Sequence, residues 1–398
     1  MKQKKNILVT TYWSYNNALI TTYTLPYVRI ILKQLAPGCK IYLLTLSDKQ
    51  NFDKTNFEKF RTELEKENIV VINYTYSPFG FGMAFRFTRI FLELIGLILT
   101  KNISGLHGWC TPGGAIACLL SIVTRKPLVL DSFEPHALNM IENGSWTKKS
   151  TAFNILFKLE KLQFRKATEV ICAAKGMIEH AETTYGAKKK RYFVKPACVD
   201  LNLFFPPAQA SSDAANKTIT CLYAGKFGGI YLDKEVFDFF KVAIDYFGDR
   251  FKIVLLTSHS EAEIELFCKN SAVDRNKVQI AFVKHEEVPA YLRMADFGIC
   301  PVKPVPTKAF CSPIKNGEYW ASGMPVVITR NISDDSRLIA ENEAGYVLQQ
   351  LNEQEYLNAV KKIEYLLAEK NTSLRIRQLA EQYRNFEIAE SIYKTIYA

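Results

Sequence analysis

The 398-residue chain has no long hydrophobic run. Its most apolar stretch, Ile90 to Leu99, contains Glu93 and Gly96 and falls well short of the ~20 residues that span a bilayer, so no transmembrane helix is expected. Behind the basic start Met1-Lys-Gln-Lys-Lys, the apolar run Ile7-Leu8-Val9 is too short for a signal peptide and suits a first strand. Histidine is scarce: five residues, at 107, 136, 180, 259 and 285, lie far apart with no metal-ligand spacing, so no structural metal is expected. The nine cysteines are scattered singly with no CxxC pair, which excludes a disulfide framework and fits buried free thiols in a reducing cytoplasm. A solenoid repeat and a long disordered tract are both missing.

What is present describes a globular protein. With 48% hydrophobic and 23% charged residues, the chain is long enough for two domains, each burying its own core. The net charge of +11 is unevenly spread: residues 1–199 hold 28 Lys and Arg against 14 Asp and Glu, and residues 200–398 hold 23 against 26. The whole basic excess therefore belongs to the first half. It suits an anionic partner such as a membrane surface, or a surface tuned for solubility. No basic, aromatic-interleaved nucleic-acid motif occurs, so no nucleic-acid partner is expected.

Strand-like runs alternate with helical patterns. In the first half they are Ile7–Thr10, Ile41–Leu46, Ile69–Tyr74, Pro127–Asp131 and Glu169–Ala173; in the second, Ile219–Ala224, Phe251–Thr257, Val278–Val283, Phe297–Pro301 and Pro325–Thr329. Val236, Phe239, Phe240, Ala243 and Phe247 share one helix face, and Ile155, Leu156, Leu159 and Leu162 are assigned to another. Fully apolar strands alternating with helices mean parallel sheets covered on both sides. The polar stretch Pro206 to Lys217 separates the halves. The expected fold is α/β, with two doubly wound domains facing each other across a cleft at the carboxyl ends of their strands.

The most informative segment runs from Cys311 to Val327, CSPIKNGEYWASGMPVV. A loop of small residues enters a short helix, Gly323-Met324-Pro325 stops it, and a buried strand follows. Lys315 and Glu318 are three apart and project from one face near the helix N-terminus. Free N–H groups there attract an anion, and a carboxylate one turn in can hold a diol, a combination suited to a sugar nucleotide.

Four stretches in order resemble the retaining GT-B glycosyltransferases of the family-4 type: Ala167–Met177 (ATEVICAAKGM), Val194–Phe204 (VKPACVDLNLF), Leu222–Lys226 (LYAGK) and the segment above, which is similar to a subgroup carrying SPxKxxEYxAxGxPVV. The resemblance implies a first, acceptor-binding domain over residues 1–198 and a second, donor-binding domain over 199–373. A C-terminal helix, about 374–398, would pack back on the first. It implies a metal-independent transfer from a nucleoside-diphosphate sugar, with no cofactor, to a saccharide or lipid-linked saccharide acceptor. Such an enzyme would work in the cytoplasm, at the inner membrane face.

The resemblance also implies roles. Lys226 and Lys234 map onto the family's pair of basic diphosphate ligands, near Gly225; the other reading is solvated surface lysines. Lysine stands at 226 where arginine is usual, which removes bidentate geometry. Glu318 would accept from the ribose hydroxyls and Lys315 would reach a phosphate, with backbone amides near Ser312 and Ile314 assisting. Phe310 stands where the family often carries a sugar-contacting glutamate. On the acceptor side, Glu134 or His136 would orient the acceptor hydroxyl or take its proton, with Trp13, Asn17 and His107 as further contacts. Phe79–Leu92 reads either as an interfacial helix with Arg86 and Arg89 or as a core helix. Two other functions fit the same residues: a sugar-nucleotide epimerase or hydrolase of the same fold, and a non-catalytic basic membrane- or nucleic-acid-binding protein.

Overall fold

The computed structural model describes residues 5–76, 82–207 and 218–398. The chain divides into two compact units, Met1–Lys195 with Ala389–Ala398, and Pro196–Ile388. Seven parallel strands build the first: β1 Asn6–Thr10, β2 Ile41–Asp48, β3 Ile69–Tyr76, β4 Ile103–Trp109, β5 Leu128–Ser132, β6 Glu169–Cys172 and β7 Arg191–Val194. Six build the second: β8 Ile219–Ala224, β9 Phe251–Leu256, β10 Val278–Ala281, β11 Phe297–Cys300, β12 Val326–Thr329 and β13 Gly345–Leu348. The sheet orders are β3-β2-β1-β4-β5-β6-β7 and β10-β9-β8-β11-β12-β13. Strand order reverses between β1 and β4 in one sheet and between β8 and β11 in the other. Loops leaving the carboxyl ends at such switch points part to opposite faces and leave a crevice for ligands.

The apolar runs decide where most strands lie. β2 is buried from Ile41 to Ser47, because helices cover both faces. Three strands carry weaker signals. β4 is diluted by Ser104, Gly105, His107 and Gly108, yet it is central. Its glycine serves packing: a Cβ on Gly108 would lie 2.6 Å from Gly114 Cα in the following helix, Cys110–Thr124. β7 and β13 are four-residue edge strands, too short to show a period.

The face Val236, Phe239, Phe240, Ala243 and Phe247 is buried as its spacing requires. The other assigned face is not. In the helix Thr151–Lys166, Ile155 and Leu162 are exposed, while Phe153, Glu160, Gln163 and Phe164 are buried. Polar side chains occupy core positions there because their partners are built in. Glu160 accepts from Thr111 Oγ1 at 2.9 Å, Ala137 N at 3.2 Å and Tyr185 Oη at 3.2 Å. Burial still pushes its carboxyl up to about 7, with those hydrogen bonds pulling against it.

The domain border and the C-terminus differ from expectation. The contact border falls after Lys195 rather than 198. The linker's residues 208–217, and Phe79–Phe81 of the proposed interfacial segment, lie outside the described residues. The stretch 374–398 is not one helix returning to the first domain. Thr372–Tyr383 packs on Ile314–Ala321 inside the second unit, and only Ala389–Ala398 joins the first. There Tyr393 Oη donates to Asp131 Oδ2 at 3.2 Å, and Tyr397 Oη lies 2.6 Å from His107 Nδ1.

Between those helices Arg384 is 1% exposed. Its guanidinium pairs with Asp335 and donates to Ser312 Oγ and to Ala197 O, the last at 3.2 Å. Asn316 Nδ2 supplies Asp335 with a further hydrogen bond at 2.7 Å. Removing one member strands a buried charge. Arg384→Met is expected to destabilise the second domain by about 3–5 kcal/mol in urea unfolding. A loss under about 1 kcal/mol would contradict the buried pair's role.

Candidate functional site

The second domain places its chemistry at the β8/β11 switch point. β8 ends at Ala224, and Gly225 turns the chain at φ +151°. A Cβ there would stand 2.9 Å from Tyr223 Oη and 3.1 Å from Lys315 Nζ, so this glycine admits the lysine to the strand end. Tyr223 Oη donates to Lys226 O at 2.5 Å, fixing the loop. The loop's far side is pinned to the chain leaving β11, through Leu232 N to Pro301 O at 2.8 Å and Lys303 N to Ile230 O at 3.0 Å.

Lys315 lies in the first turn of the helix Ile314–Ala321, and no side chain caps that helix at Pro313. The amides of Ile314 and Lys315 are therefore first-turn donors. Lys315 is 8% exposed. Its ammonium sits 4.0 Å from the Tyr231 ring centroid and 5.3 Å from that of Tyr223. Among the described residues no carboxylate lies within ion-pair distance of it. A buried cation among tyrosines, with no carboxylate partner and with free first-turn amides on its own helix, is a candidate site for an anion.

One turn on, Glu318 is 5% exposed, and its Oε1 lies 2.8 Å from His285 Nε2. His285 opens the chain after β10 and packs against Phe204, with ring centroids 5.6 Å apart. Sequence reasoning missed this partner. His285 stands alone, 33 residues from Glu318, and only the ordering of β8, β9 and β10 in the sheet brings the two together.

The remaining donor candidates sit differently. Ser312 Oγ accepts from Ala197 N at 3.0 Å and from Arg384, so its side chain serves the fold. Lys226 is exposed beside Gly225. Lys234 is 64% exposed, and its ammonium pairs with Asp238 at 2.6 and 2.9 Å along its own helix. Phe310 is half-buried after the short helix Pro306–Ala309.

In the first domain, Glu134 and His136 follow β5. Asn139 Nδ2 donates to Glu134 Oε1 at 2.7 Å, and His136 meets the Tyr12 ring edge-on at 6.3 Å. Both side chains are half-buried at the carboxyl ends of β1 and β5. Glu160 accepts the amide of Ala137 behind them, fixing the start of the helix that carries His136. Of the three other acceptor candidates, two are turned into the core. His107 points into the core from mid-strand at 0% exposure, stacked on Trp109, and burial lowers its pKa. Trp13 is 7% exposed and stacks on Phe133. Asn17 is exposed, with its Oδ1 accepting from Leu19 N at 2.9 Å.

Residues 244–385 match the family described as glucosyltransferase 3-like, C-terminal domain, which puts the glycosyltransferase likeness on the second domain. Among curated proteins no sequence matches the chain. Anabaena HepE, solved in complex with UDP-glucose, is similar over 98% of this chain and 99% of its own, at 16% identity and TM-score 0.68. WaaG, a glycosyltransferase involved in lipopolysaccharide biosynthesis, is similar over 98% and 99%, at 11% and 0.67. A UDP-N-acetylglucosamine 2-epimerase described as putative, from Listeria monocytogenes, is similar over 99% and 96%, at 13% and 0.62. With the two parallel sheets, these likenesses show the GT-B fold; at such identities they show the fold alone.

The His285–Glu318 pair has a pH signature. The hydrogen bond to Glu318 raises the His285 pKa, and burial opposes it. A raised native pKa stabilises fully below the unfolded value, ~6.5, and is lost as pH rises through the native value. The melting-temperature gap between wild type and His285→Gln is therefore expected to be widest below about pH 6 and to close at alkaline pH. A gap that does not change with pH would contradict an ionic pair.

Proposed function

We propose that this protein is a glycosyltransferase that moves a sugar from a nucleoside diphosphate to a saccharide or lipid-linked saccharide acceptor. The observation that carries the reading is the buried, carboxylate-free ammonium of Lys315 beside Gly225, with Glu318 one helical turn away. The family match over residues 244–385 supports it. So does the binding of UDP-glucose by HepE, a protein of the same fold, which makes uridine diphosphate the first nucleotide to test.

In this reading the diphosphate lies on Lys315 and the first-turn amides of Ile314 and Lys315, with Lys226 as a second, exposed cation. The ribose hydroxyls donate to Glu318 and displace His285. As the bond from the anomeric carbon to the diphosphate oxygen breaks, negative charge grows on that oxygen, where a fixed cation in a dry site stabilises it most. The acceptor oxygen forms the new bond on the same face of the sugar, and its proton passes to the departing diphosphate. Retention therefore needs no side-chain nucleophile, and metal-independent transfer follows from the cation set. Glu134 and His136 orient the acceptor. Surface polysaccharide synthesis at the inner face of the cell membrane is the setting we propose; the charge asymmetry of the chain supports it, as does the role of WaaG, a protein of the same fold.

Lys315→Met separates function from stability. It removes a desolvated charge while keeping the volume, so the melting temperature is expected to hold or rise. UDP affinity by calorimetry is expected to fall roughly 10–100-fold, the worth of a charged hydrogen bond. Glu318→Gln should weaken nucleotide binding within the same range. Unchanged UDP affinity in both variants would refute the donor site. Turnover of a UDP-sugar to an epimer or free sugar with no acceptor present would replace transfer by the epimerase or hydrolase reading.

A further inference from the structure

Among the described residues, two helices of the first domain, Gly82–Thr100 and Cys110–Thr124, leave an apolar face exposed. Ile90, Leu94 and Ile98 of the first turn inward and are buried. The outer side should then be polar, as it is on the helix Lys54–Lys66. Instead it shows Leu92 at 62% and Leu99 at 70% exposure, and the second helix adds Leu119, Ile122 and Val123. With Phe87, these two helices supply six of the sixteen exposed large hydrophobic residues among the described residues. Scatter does not explain that concentration. Between the helices runs a groove of about 420 Å³ lined by Phe87, Phe91, Leu94, Ile116, Leu119 and Val123.

The charges at the rim narrow the choice of occupant. β4 and β5 are parallel neighbours, so the helices that precede them both end at the amino-terminal edge of the sheet. Lys101 follows the first helix, and Arg125 and Lys126 follow the second. None of the three pairs with a carboxylate among the described residues. Glu93, the one carboxylate on the two helices, is tied to Arg89 at 2.8 Å. Leu99 and Val123 thus stand beside unpaired cations, in the half of the chain that holds the whole basic excess. Exposed leucine and valine edged by lysine and arginine match the boundary between acyl chains and anionic headgroups. Among the described residues no helix is long and apolar enough to cross a membrane.

We propose that this face seats the protein on an anionic lipid bilayer: Leu92, Leu99, Leu119, Ile122 and Val123 enter the headgroup–acyl boundary, and Lys101, Arg125 and Lys126 hold lipid phosphates. This rests on the membrane setting proposed above and not on the donor site, so its test needs no sugar transfer. The full chain is floated with phosphatidylcholine vesicles, with and without phosphatidylglycerol, and UDP affinity is measured alongside. Binding is expected only with the anionic lipid. It should fall roughly tenfold or more in Lys101→Glu/Arg125→Glu and again in Leu119→Glu/Val123→Glu. The altered positions are on or beside exposed helix ends, so circular dichroism and UDP affinity should not move.

Three outcomes would overturn the proposal. One is no binding to phosphatidylglycerol vesicles at physiological salt. Another is binding that survives the Leu119→Glu/Val123→Glu change, which would mean adsorption by the basic domain as a whole. The third is a concentration-dependent dimer abolished by that change, which would make the face a contact between two copies of the chain.

Discussion

A lysine ammonium buried to 8% exposure without a carboxylate is costly, and one corner of the second domain is arranged around that cost. Lys315 sits beside a glycine whose φ of +151° disfavours any side chain there and whose Cβ would crowd the ammonium and Tyr223. Tyrosine rings offset part of the desolvation, and the start of the helix supplies amides where an anion would lie. Among the described residues no carboxylate balances that ammonium. Glu318 solves the reverse problem with His285, so one of the two buried charges is satisfied and the other is held open. In the function proposed, diphosphate would supply the missing charge and ribose would take the place of the imidazole.

The rest of the second domain keeps that corner rigid. Arg384 and Asp335 brace the helix carrying Lys315 and Glu318 from behind, through Asn316 and Ser312, and the turn from β8 is pinned to the chain leaving β11. In the first domain Glu160 plays a comparable part beneath the helix that carries His136. Both are buried polar groups with near-complete hydrogen bonding, whose removal leaves partners stranded.

Much of this was legible in the sequence, and the misses share a physical cause. Alternating apolar runs located ten strands because their burial imposes composition. β4 was hidden by glycines that serve helix packing, and β7 and β13 by their shortness. Gly225, Lys315 and Glu318 could be named beforehand because a glycine turn and a pair three apart on a helix are local patterns. His285 and Arg384 were not, since their partners are distant in sequence and no spacing announces them. Glu160 and Gln163 misled the helix-face assignment, because a polar residue at a core position is recognisable only once its partners are known. His107 and Trp13 show the opposite case: their chemistry suits a site, but their strand and loop turn them into the core.

The central claim is that the corner of Gly225, Lys315 and Glu318 holds a nucleoside diphosphate. The most direct measurement is a crystal structure of the chain grown with uridine diphosphate. The account predicts diphosphate oxygens within hydrogen-bond distance of Lys315 Nζ and the first-turn amides of Ile314–Ala321, with ribose hydroxyls on Glu318 and His285 displaced. A diphosphate bound on Lys226 and Lys234 alone, with the His285–Glu318 pair intact, would contradict it.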